Sequence, residues 1–174
     1  MTALRLLHGR RLPSTPPGSV GGWAWIVVEE HAVCSDSGVT RGPSNHQQCQ
    51  VIAAIEGLTR LVASDVRKVE LLSYSRHVVG GMSATGCIGC TGWAHGAAAR
   101  EWRSVRGRPR KNRDLWERLL ELDGCLAVTW RHVPGHRPKT DTSDDARYNR
   151  EVDALAREAR LAVRSPQSGV TTTP

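Results

Sequence analysis

Val51, Ile52, Ile55, Leu58, Leu61 and Val62 recur at intervals of three and four residues, the repeat of a helix with one buried face. Ser44 and Asn45 stand just ahead of the run, where a short polar side chain can cap the first turn. Upstream, Leu4 to Leu7 is short and apolar, and Trp23 to Val28 alternates weakly inside a Gly-flanked run. With His31 to Ser35 and Gly38 to Thr40, these segments complete a three-strand antiparallel meander. Lys68 to Leu72 reads as a buried strand, and Leu126 to His132 as another. Helices are predicted over Ser75 to Gly81, Trp93 to Trp102, Asn112 to Leu122 and Tyr148 to Val163. A meander followed by strand-helix-strand alternation predicts an α/β fold, a mixed five-stranded sheet with helices on both faces.

The Pro- and Ser-rich stretch from Leu12 to Ser19 lies between two predicted strands and is short, so it reads as a hairpin loop. Residues 165–174 lack any period and read as a disordered tail after one domain spanning 1–164. At 174 residues the chain is long enough for one substantial core. A net charge of +7 and a pI near 9.7 favour a polyanionic partner. No apolar stretch is long enough to span a bilayer, and the N-terminus has no hydrophobic signal region. The expected address is the cytoplasm and the expected state a monomer. Five cysteines form no disulfide spacing, in keeping with a reducing compartment. Cys87-Ile-Gly-Cys90 reads as a Gly-containing loop or as half of a zinc or redox site, with His95 as the nearest further ligand and no second pair.

Three segments of the C-terminal half carry a sharper signal: Asn112-Arg-Asp-Leu-Trp116, Thr129-Trp-Arg-His-Val-Pro-Gly-His136 and Asn149-Arg-Glu-Val-Asp-Ala-Leu-Ala156. Their order and spacing closely resemble the type 1 ribonuclease H family, and the resemblance runs from about Leu4 to Arg164. It implies the ribonuclease H fold and cleavage of the RNA strand of an RNA/DNA hybrid, with four acidic residues holding two divalent ions. Carried over position by position, His8 stands at the first acid, Gln50 at the second, Tyr74 at the third and Asp153 at the fourth. Asp153 alone is acidic. The resemblance also implies an assisting role for His136, in product release or proton movement.

Two-metal hydrolysis requires ions about 4 Å apart and enough negative charge around them to offset two dications. Gln50 has the shape of Glu without its charge. Imidazole is a poor ligand for Mg²⁺, and Tyr74 is bulky and protonated near neutral pH. Asp153 with one amide oxygen offers at most a weak site for a single Mg²⁺ or Mn²⁺. In an alternative arrangement, Asp141, Asp144 and Asp145 of the long segment after His136 join His8 and Asp153 around Mn²⁺ or Zn²⁺. The plainer reading makes them a solvated acidic cap before the last helix.

Arg100 to Arg113 holds seven cations in fourteen residues around Trp102, a composition suited to a phosphate backbone. The resemblance makes this region a basic protrusion that grips the DNA strand, with Trp93 and Trp102 matching two of its tryptophans and Ala97 replacing a third. Expected nucleic-acid contacts are therefore Trp93, Trp102, Arg103, Arg106, Arg108, Arg110, Lys111 and Asn112. Arg76 joins them, and His46, Gln47 and Gln48 stand where relatives read 2′-hydroxyls. Trp23, Trp25, Trp116 and Trp130 sit among apolar neighbours and read as core. Together these readings predict a binder of RNA/DNA hybrid or double-stranded RNA with impaired hydrolysis. The rival is an active endoribonuclease with an atypical His8, Gln50, Tyr74 and Asp153 centre, and the third reading is a protein-interaction module on an old scaffold.

Overall fold

The computed structural model describes residues 2–6, 20–29, 32–64, 66–83, 92–104, 106–135, 138 and 140–164. Among them are strands β1 (Thr2–Leu6), β2 (Val20–Glu29), β3 (Ala32–Pro43), β4 (Lys68–Ser73) and β5 (Ala127–His132). The helices are α1 (His46–Val62), α2 (Arg76–Met82), α3 (Trp93–Ala98), α4 (Arg113–Cys125) and α5 (Asp144–Arg164). The sheet order is β3-β2-β1-β4-β5. β2 pairs antiparallel with β1 and β3, while β4 runs parallel to β1 and β5. The mixed five-stranded sheet expected from the sequence is therefore present.

Both faces of the sheet are covered, which is why β2 is apolar almost throughout instead of cleanly alternating. Trp25 and Val27 point to the α1 and α4 side, where they pack with Val51, Leu58, Leu71, Trp116 and Leu119. Ala24 and Ile26 point the other way, into a smaller core with Leu72, Tyr148, Val152 and Ala156 beneath α5. Gly21 and Gly22 let both layers approach β2. A Cβ at Gly21 would lie 2.1 Å from Cys49 Sγ, and one at Gly22 would lie 2.0 Å from the Ala156 carbonyl oxygen. Burial pushes the Cys49 thiol up, so it sits as an inert core group. Cys34 and Cys125 are exposed and unpaired with sulfur.

Three boundaries differ from expectation. β3 runs unbroken through Gly38, because the Trp23 indole covers that glycine and its Nε1 donates to the Val39 carbonyl at 3.3 Å. The predicted helix from Trp93 to Trp102 stops at Ala98: Glu101 and Trp102 adopt φ values of 50° and 59°. That reversal returns Trp102 to the core, where it is 4% exposed. Finally, α5 starts at Asp144, a turn before the predicted Tyr148, with the Ser143 hydroxyl accepting from the Ala146 amide at 3.3 Å. No described helix is long and apolar enough to cross a membrane. The Leu12 to Ser19 loop, the 165–174 tail and Cys87 and Cys90 lie outside the described residues.

Candidate active site and nucleic-acid interface

Gln50, Tyr74 and Asp153 come from three different elements and meet where β4 ends. Tyr74 is the residue after β4, and its hydroxyl donates to Asp153 Oδ1 of α5 at 3.0 Å. The next residue, Ser75, donates its hydroxyl to Gln50 Oε1 of α1. Gln50 Nε2 lies 2.7 Å from His46 Nε2, and because the amide nitrogen can only donate, the imidazole nitrogen accepts. Spacing explains that pair, since residues four apart share a helix face. Ser75 is also the N-cap of α2, accepting from Val78 N at 3.2 Å, and its own amide donates to Ser73 Oγ at 3.0 Å. Gln50, Ser73 and Ser75 are all buried, so these bonds satisfy groups that water does not reach.

Tyr74 is the hub of this cluster. Its carbonyl lies 3.2 Å from His132 Nε2 at the end of β5. Its ring covers Gly135, where an added Cβ would come within 2.9 Å of the ring carbons. Asn149 of α5 fixes the same loop by donating to the Gly135 carbonyl at 2.7 Å. Strands β4 and β5, helix α5 and the loop at Gly135 are thus tied through one aromatic residue.

These residues do not fit a pair of Mg²⁺ ions. Gln50 and Tyr74 bring no negative charge at neutral pH, the Gln50 oxygen is already bonded to Ser75, and one Asp153 oxygen holds the Tyr74 hydroxyl. Among the described residues, no group of three His, Cys, Asp or Glu side chains is placed to share an ion. The early start of α5 places two acids of the alternative acidic-loop site in a helix. Asp144 and Asp145 occupy its first turn. At 1.5 Å rise per residue they stand about 12–14 Å along the axis from Asp153, too far to share an ion. Asp144 pairs with Arg147 at 3.2 Å, Asp145 lies 3.8 Å from Arg131, and Asp141 Oδ1 accepts from Ser143 N at 2.9 Å. His8 and His136 lie outside the described residues.

The cationic protrusion is a separate feature. It is a tight turn: Arg103 bridges Pro109, Ser104 N donates to the Arg108 carbonyl and Arg110 N to the Trp102 carbonyl, both at 2.8 Å. Arg106, Arg108, Arg110 and Lys111 are exposed on it. Trp102, expected to touch nucleic acid, is instead the buried root that anchors the turn. Arg103 donates to the Gly107 carbonyl at 3.1 Å and faces a shallow groove shared with Glu101, Arg113, Glu117 and Glu121, where Glu117 pairs with Arg113 at 2.8 Å. Trp93 remains partly open, with the Arg110 guanidinium 5.2 Å from its ring centroid.

His77 belongs to this surface, although no motif in the sequence singles it out. Its ring centroid lies 5.2 Å from that of Trp93 and 5.3 Å from that of Trp116, and its pKa is held below the usual histidine range by burial and then by Arg110. The only sequence signal is its place one residue after Arg76, which is exposed in the first turn of α2. Gln48 links the protrusion to α1: its Oε1 accepts from the Asn45 amide at 2.8 Å, and its Nε2 donates to Asn112 Oδ1 at 3.0 Å. Asn112 is the N-cap of α4, with φ 57° and no side-chain cap bond. Two helix N-termini therefore converge there, where backbone amides and the helix dipole favour an anion. Gln47 is exposed next to them.

The RNase H family model matches residues 14–160. The chain belongs to the ribonuclease H family. Ribonuclease H of Maricaulis maris (strain MCS10) is 31% identical over 161 residues, an overlap of 92% of this chain and 96% of that protein. LC9-RNase H1, a type 1 RNase H with the type 2 active-site motif, superposes with a TM-score of 0.69 at 20% identity, covering 92% of this chain and 72% of that one. LC11-RNase H1, solved in complex with RNA/DNA hybrid, superposes with a TM-score of 0.61 at 13% identity, covering 95% and 100%. At such identities the two structures speak to the ribonuclease H fold alone.

Proposed function

We propose that this ribonuclease H-family protein binds RNA/DNA hybrid or double-stranded RNA, and that its two-metal hydrolysis is lost or strongly impaired. The observation that carries the reading is the 3.0 Å bond from Tyr74 to Asp153, which places a neutral phenol against the one acid left among the matching positions that are described. Cationic and aromatic side chains support the binding half: Arg76 is exposed on α2, Arg110 lies over the Trp93 ring and Gln48 bonds Asn112, and LC11-RNase H1 is known with a hybrid bound. We infer further that the protein works as a monomer in the cytoplasm.

Purified protein is expected to bind a labelled hybrid with a salt-dependent Kd while leaving it intact in Mg²⁺, Mn²⁺, Co²⁺ and Zn²⁺. In excess it is then expected to slow cleavage of that hybrid by an active ribonuclease H. Hybrid cleavage that disappears in Asp153→Asn would overturn the reading. It would favour the second one, an active endoribonuclease whose centre combines His8, Gln50, Tyr74, Asp153 and His136 around Mn²⁺. The observation in favour of that alternative is the 31% identity to the Ribonuclease H of Maricaulis maris over 92% of this chain.

A further inference from the structure

In a two-metal nuclease, carboxylates from separate elements repel one another until the ions join them. Here the same elements are already joined without an ion. Tyr74 links β4 to α5 through Asp153, and links β4 to β5 through His132. Ser75 links the start of α2 to α1 through Gln50, and the linkage runs on to His46. The Tyr74 ring also holds the Gly135 loop, which Asn149 secures from α5. We propose that this hydrogen-bonded lattice, with Tyr74 at its centre, has taken over the cross-linking role of the metal pair, so that the cleft keeps its shape and takes up a nucleic-acid backbone without any divalent cation.

The donor and acceptor count supports the assignment. Gln50 gives its oxygen to Ser75 and its nitrogen to His46, so both ends of the amide are engaged. An ion entering the cleft would meet Asp153 as the one carboxylate among the matching positions that are described, a weak offset for a dication. Substrate phosphates are met instead by fixed cations, which need no ion as intermediary. The protein's tertiary structure is therefore indifferent to chelation, unlike that of a protein whose ligands converge only when metal is bound.

The test has two arms. Thermal melting of the whole protein in EDTA, Mg²⁺ and Mn²⁺ at one ionic strength is expected to give a single melting temperature, and a saturable rise with either ion overturns the proposal. Fluorescence anisotropy with a labelled hybrid is expected to give a Kd in EDTA no weaker than in Mg²⁺, and binding that requires the ion overturns it as well. The substrate arm rests on the function proposed above. If no hybrid binds under any condition, that reading fails and the melting arm still decides this one. The double variant Gln50→Glu with Tyr74→Asp sharpens the first arm. If it folds, its melting temperature is expected to fall in EDTA and recover with Mn²⁺. If it does not fold, the wild-type melt alone decides.

Discussion

The Gln50, Tyr74 and Asp153 cluster and the basic flank are held together in different ways. At the cluster, uncharged side chains are joined by buried hydrogen bonds, with Gln50, Ser73 and Ser75 each under 7% exposed. On the flank, charge is kept and displayed on a turn whose root is pinned in the core by Trp102. A catalytic centre and a binding surface in one small domain can thus change independently, because they draw on different physics. The centre relies on short-range bonds among buried groups, whereas the flank relies on long-range attraction between exposed cations and a polyanion.

The contrast is most severely tested by removing the root. Trp102→Ala is expected to cost about 3–5 kcal/mol, as large-to-small changes of a buried aromatic do, and to loosen the turn that carries Arg106 to Lys111. Denaturant unfolding measures the cost. A loss below about 1 kcal/mol would mean that the protrusion is not anchored as described.

Neutralising Arg106, Arg108, Arg110 and Lys111 together comes next. Hybrid affinity at low salt is expected to fall at least about 100-fold, and the slope of log K against log salt to flatten by about one for each cation that contacts phosphate. Stability should not change, because all four side chains are exposed. Retained affinity with an unchanged slope would remove the flank from the binding surface.

Tyr74→Phe probes the centre with a smaller expected effect. It deletes the donor to Asp153 and keeps the ring on Gly135, so a loss of about 1.5–3 kcal/mol is expected, as for hydrogen bonds to charged groups. Hybrid affinity in the folded variant should stay within a few-fold of the parent, and a collapse in binding would show that centre and flank are coupled.

Smallest is Asp123→Asn. Burial raises the Asp123 carboxyl above its ordinary value, outweighing the Trp130 indole that donates to it at 2.7 Å and the nearby His95. The folded state therefore holds that proton more tightly than the unfolded chain. Its contribution is complete below the unfolded value and is lost as pH rises through the folded one. Above that folded value the ionised group is a liability, softened by solvent screening. Asparagine still accepts from Trp130, so the melting temperature at pH 7 is expected to rise by about 1–2 °C. A fall on substitution would assign Asp123 a favourable charge interaction instead.

Much of this organisation was legible in the order of residues. The meander, the parallel strands and the Asn45 cap follow from periodicity and capping chemistry, and the resemblance to the ribonuclease H family implies that Gln50, Tyr74 and Asp153 meet. What escaped was decided by tertiary packing. Glu101 and Trp102 take left-handed backbone that no propensity assigns to them, because burying an indole outweighs the local cost. Asp144 and Asp145 read as an acidic cap ahead of the last helix, but with Ser143 as the capping residue they open its first turn. His46 reads as a substrate contact, although its place four residues before Gln50 already puts both on one helix face. Ser75 reads as a simple cap, although its hydroxyl also serves the cluster.

Tyr74 also sets the cost of placing a carboxylate at its position. A change to aspartate there would at once open a void over Gly135 and set two like charges side by side in place of the bond to Asp153. The side chain thus acts as a keystone, and its loss would unsettle the Gly135 loop and the last helix together.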